Sequence, residues 1–151
     1  MTARYEVAIV GGGPAGLCAA LWLARYLHKV VVVDSGDPRN WPTRAINGYM
    51  GHLGIRPAEL RALGRKEGGQ YGVEYIDGIV DEAIDETGEL FAIKLREGSV
   101  MEAQRILLAI GIKDVWPDIP GLDRCYGETA HLCSAFAGSE TLDQNTVVER
   151  T

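Results

Sequence analysis

Cysteine is scarce in this sequence: Cys18, Cys125 and Cys133 are the whole complement of its 151 residues. An odd number without dense spacing excludes a secreted disulfide framework. There is no Cys-x-x-Cys pair, and no Cys/His cluster has the spacing of a zinc site. Long hydrophobic runs are missing too; apolar strings such as Ile106 to Ile110 are far too short to span a bilayer. Residues 1–10 carry neither a basic leader nor a long apolar stretch, so the expectation is a cytoplasmic chain without a signal peptide. Nor is there an excess of positive charge. Lys and Arg number 15 against 21 Asp and Glu, a formal charge of −6, which argues against nucleic acid or an anionic membrane as a partner.

What is present describes a folded domain. Hydrophobic residues make up 46% and charged residues 24%, which is globular composition and not that of a disordered chain. The length suits one domain, or one domain with a fragment of a second, and supports a core without staples. Glycine is the outlier: 19 residues, roughly 13% against a background of about 7%. Many backbone positions must need positive φ or close approach.

The order of segments sets the fold class. Tyr5 to Val10 is a short, Val/Ile-rich run that stops at Gly11-Gly12-Gly13, as a buried parallel strand does. Pro14 suits the first turn of a helix, and Ala15 to Leu27 is rich in helix formers. Val30 to Val33 reads as a second buried strand, closed by Asp34. Strand, glycine turn, helix, strand is a βαβ unit. Residues 35–56 read as a long loop, and Pro57 to Tyr71 as a second helix whose charges suit its dipole. Val73 to Ile76 reads as a third strand. From Gly78 to Ala103 the period changes to two, with turns at Thr87-Gly88-Glu89 and Glu97-Gly98-Ser99, which predicts an antiparallel meander inserted into a parallel sheet. Ile106 to Ile110 then predicts one more buried strand. The expected class is α/β and Rossmann-like.

The glycine turn carries the chemistry. Gly11-Gly12-Gly13-Pro14-Ala15-Gly16 joins a strand to a helix, and Asp34 closes the next strand 18 residues after Gly16. These are the context conditions of a dinucleotide-binding fingerprint. Gly11 allows the tight turn, Gly13 lets the backbone approach a pyrophosphate, and Gly16 lets helix and strand pack closely. The pyrophosphate meets free N–H groups at the helix N-terminus, and Asp34 accepts hydrogen bonds from the adenosine ribose. The alternative is a purely structural turn with a solvated strand-end acid. The residue pattern alone leaves FAD and NAD both open.

Over a longer span the sequence resembles the two-domain flavoprotein disulfide reductases of the low-molecular-weight thioredoxin reductase type. The resemblance rests on VAIVGGGPAGLCAALWLAR, VVVVDSGDPRN, INGYMGHLGIRPAELRALGRKEGGQYGVEY, RILLAIGIKDVWPDIPGL and CYGETAHLC, most of residues 5–133. It implies FAD. It places Gly11, Gly13, Pro14, Ala15 and Gly16 at the pyrophosphate, Asp34 at the ribose, Asn47 at the flavin and Val80 where backbone meets adenine. Gly111 would end a segment like the family's Ala-Thr-Gly signature, with Ile110 in place of Thr.

Two departures limit what the resemblance carries. Family members have Cys-x-x-Cys after a stretch like His131-Leu132-Cys133, but here Phe136 holds the second cysteine position. Thiol–disulfide exchange through a mixed disulfide needs both sulfurs. Cys133 is therefore the one candidate catalytic residue, as a lone redox thiol or as a leftover cysteine. The chain also stops where the family's NADPH domain would begin, so that domain is expected to be absent. The expected division is a FAD-binding region over 1–122 and a linker remnant over 123–151.

Other residues read more plainly. Cys18, Trp22 and Tyr26 are expected in the core beside the first helix. Cys125 could pair with Cys133, His131 could assist it, and Trp41 could stack on a ring or cap the core. Arg39-Asn40 is a candidate for contact with adenosine phosphate or ribose. The leading reading is a FAD-binding oxidoreductase, with free NAD(P)H or a redox partner protein as electron donor. A second copy or a companion chain would cover an open sheet edge. The alternatives are a non-catalytic FAD-binding module, one half of a split flavoenzyme, or a NAD-binding domain without flavin.

Overall fold

The computed structural model describes residues 2–40, 43–85, 87–131, 138–139 and 141–148. Two units divide the chain: Met1–Arg39 with Glu59–Ile112, and Asn40–Ala58 with Lys113–Thr151.

In the first unit, β1 (Ala3–Val10) passes through the glycine turn into α1 (Pro14–Arg25), which returns to β2 (Val30–Asp34). Then come α2 (Pro57–Gly69), β3 (Glu74–Asp77), β4 (Val80–Asp85), β5 (Phe91–Leu95) and β6 (Val100–Leu108). Among the described residues these strands form one six-stranded sheet in the order β3-β2-β1-β6-β5-β4. β1 lies parallel to both β2 and β6, β2 is parallel to β3, and the β4-β5-β6 pairs are antiparallel. Val30, Val31, Val32 and Val33 are buried throughout because β2 is covered on both faces. Each such valine is worth about 1.5–3 kcal/mol over leaving it exposed.

The α/β class and the βαβ unit stand as expected, but the meander does not sit apart from the parallel strands. Val100–Ala103 pairs antiparallel with β5, and the same strand runs on beside β1 to Leu108. No glycine or proline interrupts residues 100–108, so the predicted strand from Ile106 is the second half of β6. Only Gly78 and Ile79 separate β3 from β4, although these are the two edges of the sheet. The sheet must therefore curl. Its curl brings Ile93, Leu95, Met101 and Ala103 of the meander against Tyr5, Ala8, Val31 and Val33. The other face of β1 and β2 packs on α1 through Ile9, Ala20, Ala24, Val30 and Val32.

Three core expectations are corrected. Trp22 and Tyr26 are 52% and 71% exposed, and Cys18 is exposed. The cause is the stripe that α1 buries: Gly16, Leu17, Ala20 and Ala24 are mostly small residues, which bring the helix close to the sheet and turn Cys18 and Trp22 outward. Trp22 and Tyr26 lie 6.4 Å apart, and the Arg25 guanidinium lies over Trp22 at 5.1 Å and Tyr71 at 5.5 Å. Leu108 and Ile110 are 70% and 67% exposed, so the end of the expected buried strand is open. β5 stops pairing at Ala103; beyond it, β6 has β1 on one side and no strand on the other among the described residues.

α2 ends at Gly69, two residues short of Tyr71. Its glycines pack closely. A Cβ on Gly64 would lie 2.9 Å from Leu17 Cδ1, and one on Gly68 would collide with the Tyr75 hydroxyl. In the second unit, Ile46 and Ile55 form an isolated antiparallel bridge, and Arg44 pairs with Glu128. Trp116 packs on Tyr126 at 4.4 Å beside the short α3 (Leu122–Cys125). Among the described residues, no helix is long and apolar enough to cross a membrane.

A part-buried polar contact crosses the parallel strands. The Tyr5 hydroxyl donates to Glu74 Oε2 at 2.7 Å. Burial first, and then the Glu74 carboxylate, push this phenol from 10.0 up to about 12. The folded chain therefore keeps a proton that the unfolded chain releases above pH 10. That stability is complete below pH 10 and is lost as pH rises towards about 12. Tyr5→Phe should cost about 0.5–1.5 kcal/mol at neutral pH, the net worth of one hydrogen bond. It should also flatten the alkaline fall of melting temperature; an unchanged fall would show that Tyr5 does not drive it.

Candidate dinucleotide-binding site

β1 is gripped at its C-terminal end by both parallel neighbours. Gly11 N–H donates to the Val33 carbonyl at 2.8 Å, and Ala109 N–H donates to the Val10 carbonyl at 2.8 Å. The chain must turn here with neighbours on each side, and the glycines meet that demand unequally. Gly11 has φ +109°, and a Cβ there would strike the Ala109 carbonyl oxygen. A Cβ on Gly16 would strike the Gly11 carbonyl oxygen and lie 3.3 Å from Ala109 Cβ. A Cβ on Gly12 would lie 2.6 Å from Asp34 Cγ. At Gly13, by contrast, a Cβ would meet nothing within 4 Å. Three glycines are thus packing positions, and the fourth opens onto free space.

That space lies at the N-terminus of α1. Gly13 is the N-cap, and no side chain caps the helix. The first intrahelical bond runs from Leu17 N–H to the Gly13 carbonyl at 2.9 Å. The N–H groups of Ala15 and Gly16 precede it, and Pro14 has none to satisfy. The positive end of the helix dipole therefore faces open space beside Gly13, as an anion site requires.

Asp34 closes β2 beside this turn and is buried. It forms an ion pair with Arg61 of α2, and its Oδ1 accepts from Gly36 N–H at 3.3 Å. Arg61 also donates through Nε to the Gly12 carbonyl at 3.3 Å. A carboxylate has about four lone-pair sites, so these contacts leave acceptor capacity at Asp34. Gly78 N–H donates to the Asp34 carbonyl at 2.9 Å, which ties the start of the meander to the same strand end.

The structure thus brings Gly11, Gly13, Pro14, Ala15, Gly16 and Asp34 together at the C-terminal ends of β1 and β2. Val80 begins β4 opposite Leu95, at a register shift, and packs half-buried against the meander cluster. Gly111 lies beyond β6 with φ +66° and is exposed. Asn47 is exposed in the second unit, next to the Ile46–Ile55 bridge. Cys133, Phe136 and Trp41 lie outside the described residues. Arg61 was not singled out from sequence. Its only signal there is the four-residue spacing to Arg65 on one helix face, and that spacing does not reveal a carboxylate 27 residues away.

Parallel strands, a glycine turn at their C-terminal ends, a helix N-terminus and a strand-end acid define a Rossmann-type dinucleotide-binding fold. Residues 5–148 match the pyridine nucleotide-disulphide oxidoreductase family, and the chain belongs to that family. Family members, thioredoxin reductases among them, are flavoproteins. A probable thioredoxin reductase of Arthroderma benhamiae is 31% identical over 147 residues, covering 93% of this chain and 36% of its own length. Thioredoxin reductase aclD of Aspergillus oryzae is 34% identical over 140 residues, covering 90% of this chain and 44% of its own length. Among solved structures, a putative thioredoxin reductase, TrxB, from Bacillus anthracis superposes with TM-score 0.86 at 31% identity. That superposition covers 90% of this chain and 46% of TrxB. The chain spans less than half the length of these relatives.

The unequal glycines give a direct test in the ligand-free protein. Gly16→Ala should lower the unfolding free energy by about 1–3 kcal/mol, because the added methyl enters a closed contact. Gly13→Ser should change it by no more than about 0.5 kcal/mol, since serine caps helices well and the space is open. Urea unfolding of both variants measures this. Equal losses would contradict the packing described.

Proposed function

We propose that the chain binds FAD and serves a flavin-dependent oxidoreductase of the thioredoxin reductase type. The observation that carries this reading is the open space at Gly13, at the uncapped N-terminus of α1, in a turn whose other glycines are closely packed. The residues fit the group. Gly11, Gly13, Pro14, Ala15 and Gly16 would hold the pyrophosphate, Asp34 would orient the ribose, and the backbone at Val80 would meet the adenine. Asn47 and Gly111 would belong to the flavin side. FAD, when bound, supplies two-electron acceptance and donation at its ring. The chain's own work is to hold and orient it. We read residues 1–122 as the flavin-binding region and 123–151 as a linker remnant, in a cytoplasmic protein. The electron donor would be external NAD(P)H or a redox partner protein.

A second reading has its own support: a FAD-holding module or half of a split enzyme, without turnover of its own. Phe136 stands where disulfide reductases of this type carry their second thiol, which leaves Cys133 as the only candidate for exchange in that segment. Residues 104–108 of β6 lack a second neighbour strand among the described residues, and an open strand edge is a pairing surface. A second copy or a companion chain would cover it.

Purified protein should take up one FAD per chain and show flavin absorbance bands. Gly13→Val should abolish uptake by filling the cradle. Asp34→Ala should weaken it by about 1–3 kcal/mol through lost hydrogen bonds to a charged acceptor. No uptake by the wild-type chain, or NAD outcompeting FAD, would refute the proposal. Anaerobic NADPH separates the two readings: bleached bands mean an oxidoreductase that reacts with external donor, and persistent bands mean a holding module.

A further inference from the structure

Two arginines one turn apart on α2 face two aspartates that close neighbouring strands. The β2–β3 register sets Asp34 beside Asp77. Arg61 pairs with Asp34, their side chains only 12% and 9% exposed. Arg65 Nη1 lies 2.8 Å from Asp77 Oδ1, with side chains 30% and 76% exposed. The outer pair is screened by solvent, while the inner one is poorly screened and sits against the glycine turn. Through its second donor, to the Gly12 carbonyl at 3.3 Å, Arg61 spans both the strand-end carboxylate and the turn.

A carboxylate in this place raises a difficulty for an anion site. The cradle opens at Gly13, and the preceding residue, Gly12, leans so closely on Asp34 that a Cβ would lie 2.6 Å from its Cγ. A pyrophosphate bridge held there would lie near a second negative charge, and like charges repel. The chain also carries a net charge of −6, so no general excess of cations offsets it.

We propose that Arg61 is the positioning residue that makes this end of the sheet acceptable to an anionic dinucleotide bridge. It cancels the charge of Asp34 and fixes the carboxylate against the turn, so that Asp34 serves the ribose without repelling the phosphates. The inference rests on the FAD reading above. A lysine would keep the charge but not the two-pronged hold, because it presents a single point donor.

The test compares wild type, Arg61→Met, Asp34→Asn and the double variant, by FAD titration at low and high salt and by melting of the ligand-free chains. Arg61→Met should weaken FAD binding by at least about tenfold, because it leaves a charge unpaired beside the ligand. Added salt should narrow that gap by screening. With Asn already at position 34, removing Arg61 should cost no more than about threefold, since no lone charge remains. Arg61→Lys should fall between wild type and Arg61→Met. Should Arg61→Met not fold, Arg61→Gln, which keeps a donor for Gly12 but loses the charge, carries the same comparison. A loss on removing Arg61 that is the same with Asp or Asn at 34, and insensitive to salt, would overturn the inference in favour of a merely structural role. A wild-type chain that takes up no FAD refutes the parent reading, and ADP then decides this one. The same ordering with ADP supports it, and equal or absent ADP affinity across the four chains overturns it.

Discussion

The close approach of α1 to the ends of β1 and β6 is the constraint from which the rest of this structure follows. Gly16 lies so near the Gly11 carbonyl that no side chain fits between them, and Ala109 closes the other side of the same contact. Small residues continue the approach along the helix at Ala20 and Ala24. Because the helix lies this close, its N-terminus begins at the turn itself, with Gly13 as the N-cap and no side chain capping it. A helix held farther off would leave its first N–H groups beyond reach of a ligand lying on the turn.

Charge around that turn is arranged as carefully as shape. Asp34 is buried at the end of a strand buried along its whole length, and Asp77 stands next to it across the sheet. These two adjacent acids are met by the two arginines that α2 sets opposite them. α2 can present them because Gly64 lets it approach Leu17 of α1, and Gly68 makes room for the Tyr75 hydroxyl. Glycines thus serve the packing both at the turn itself and along the helix that carries the arginines.

Several apolar side chains lie on the outer surface. Cys18, Trp22 and Tyr26 lie exposed on α1, while Leu108, Ile110 and Ile112 are exposed along and beyond the unpaired end of β6. In relatives more than twice as long, the same fold is one part of a larger protein. Exposed apolar surface beside an open strand edge is a surface available for pairing.

Local pattern was enough to read β1, α1, β2 and the glycine turn, because each is specified by neighbours in sequence: a β-branched run, a proline at the first helical position, glycines at fixed offsets. The alternation of Phe91, Ile93 and Leu95 likewise revealed the meander by period alone. What sequence could not show depends on partners distant along the chain. Whether Trp22 is core or surface is decided by which stripe of α1 meets the sheet, and the stripe of small residues wins because it permits the tighter approach. Whether Ile106 begins a strand or continues one is decided by β1, which pairs with the whole of β6. The partnership of Arg61 with Asp34 exists only because α2 lies across the strand ends, and a charge pair between separate elements leaves no periodic trace. The sequence by itself determined the βαβ unit and the turn that would receive a dinucleotide; the tertiary structure alone decided which charges surround that turn, because electrostatic pairing is set by distance in space and not by spacing along the chain.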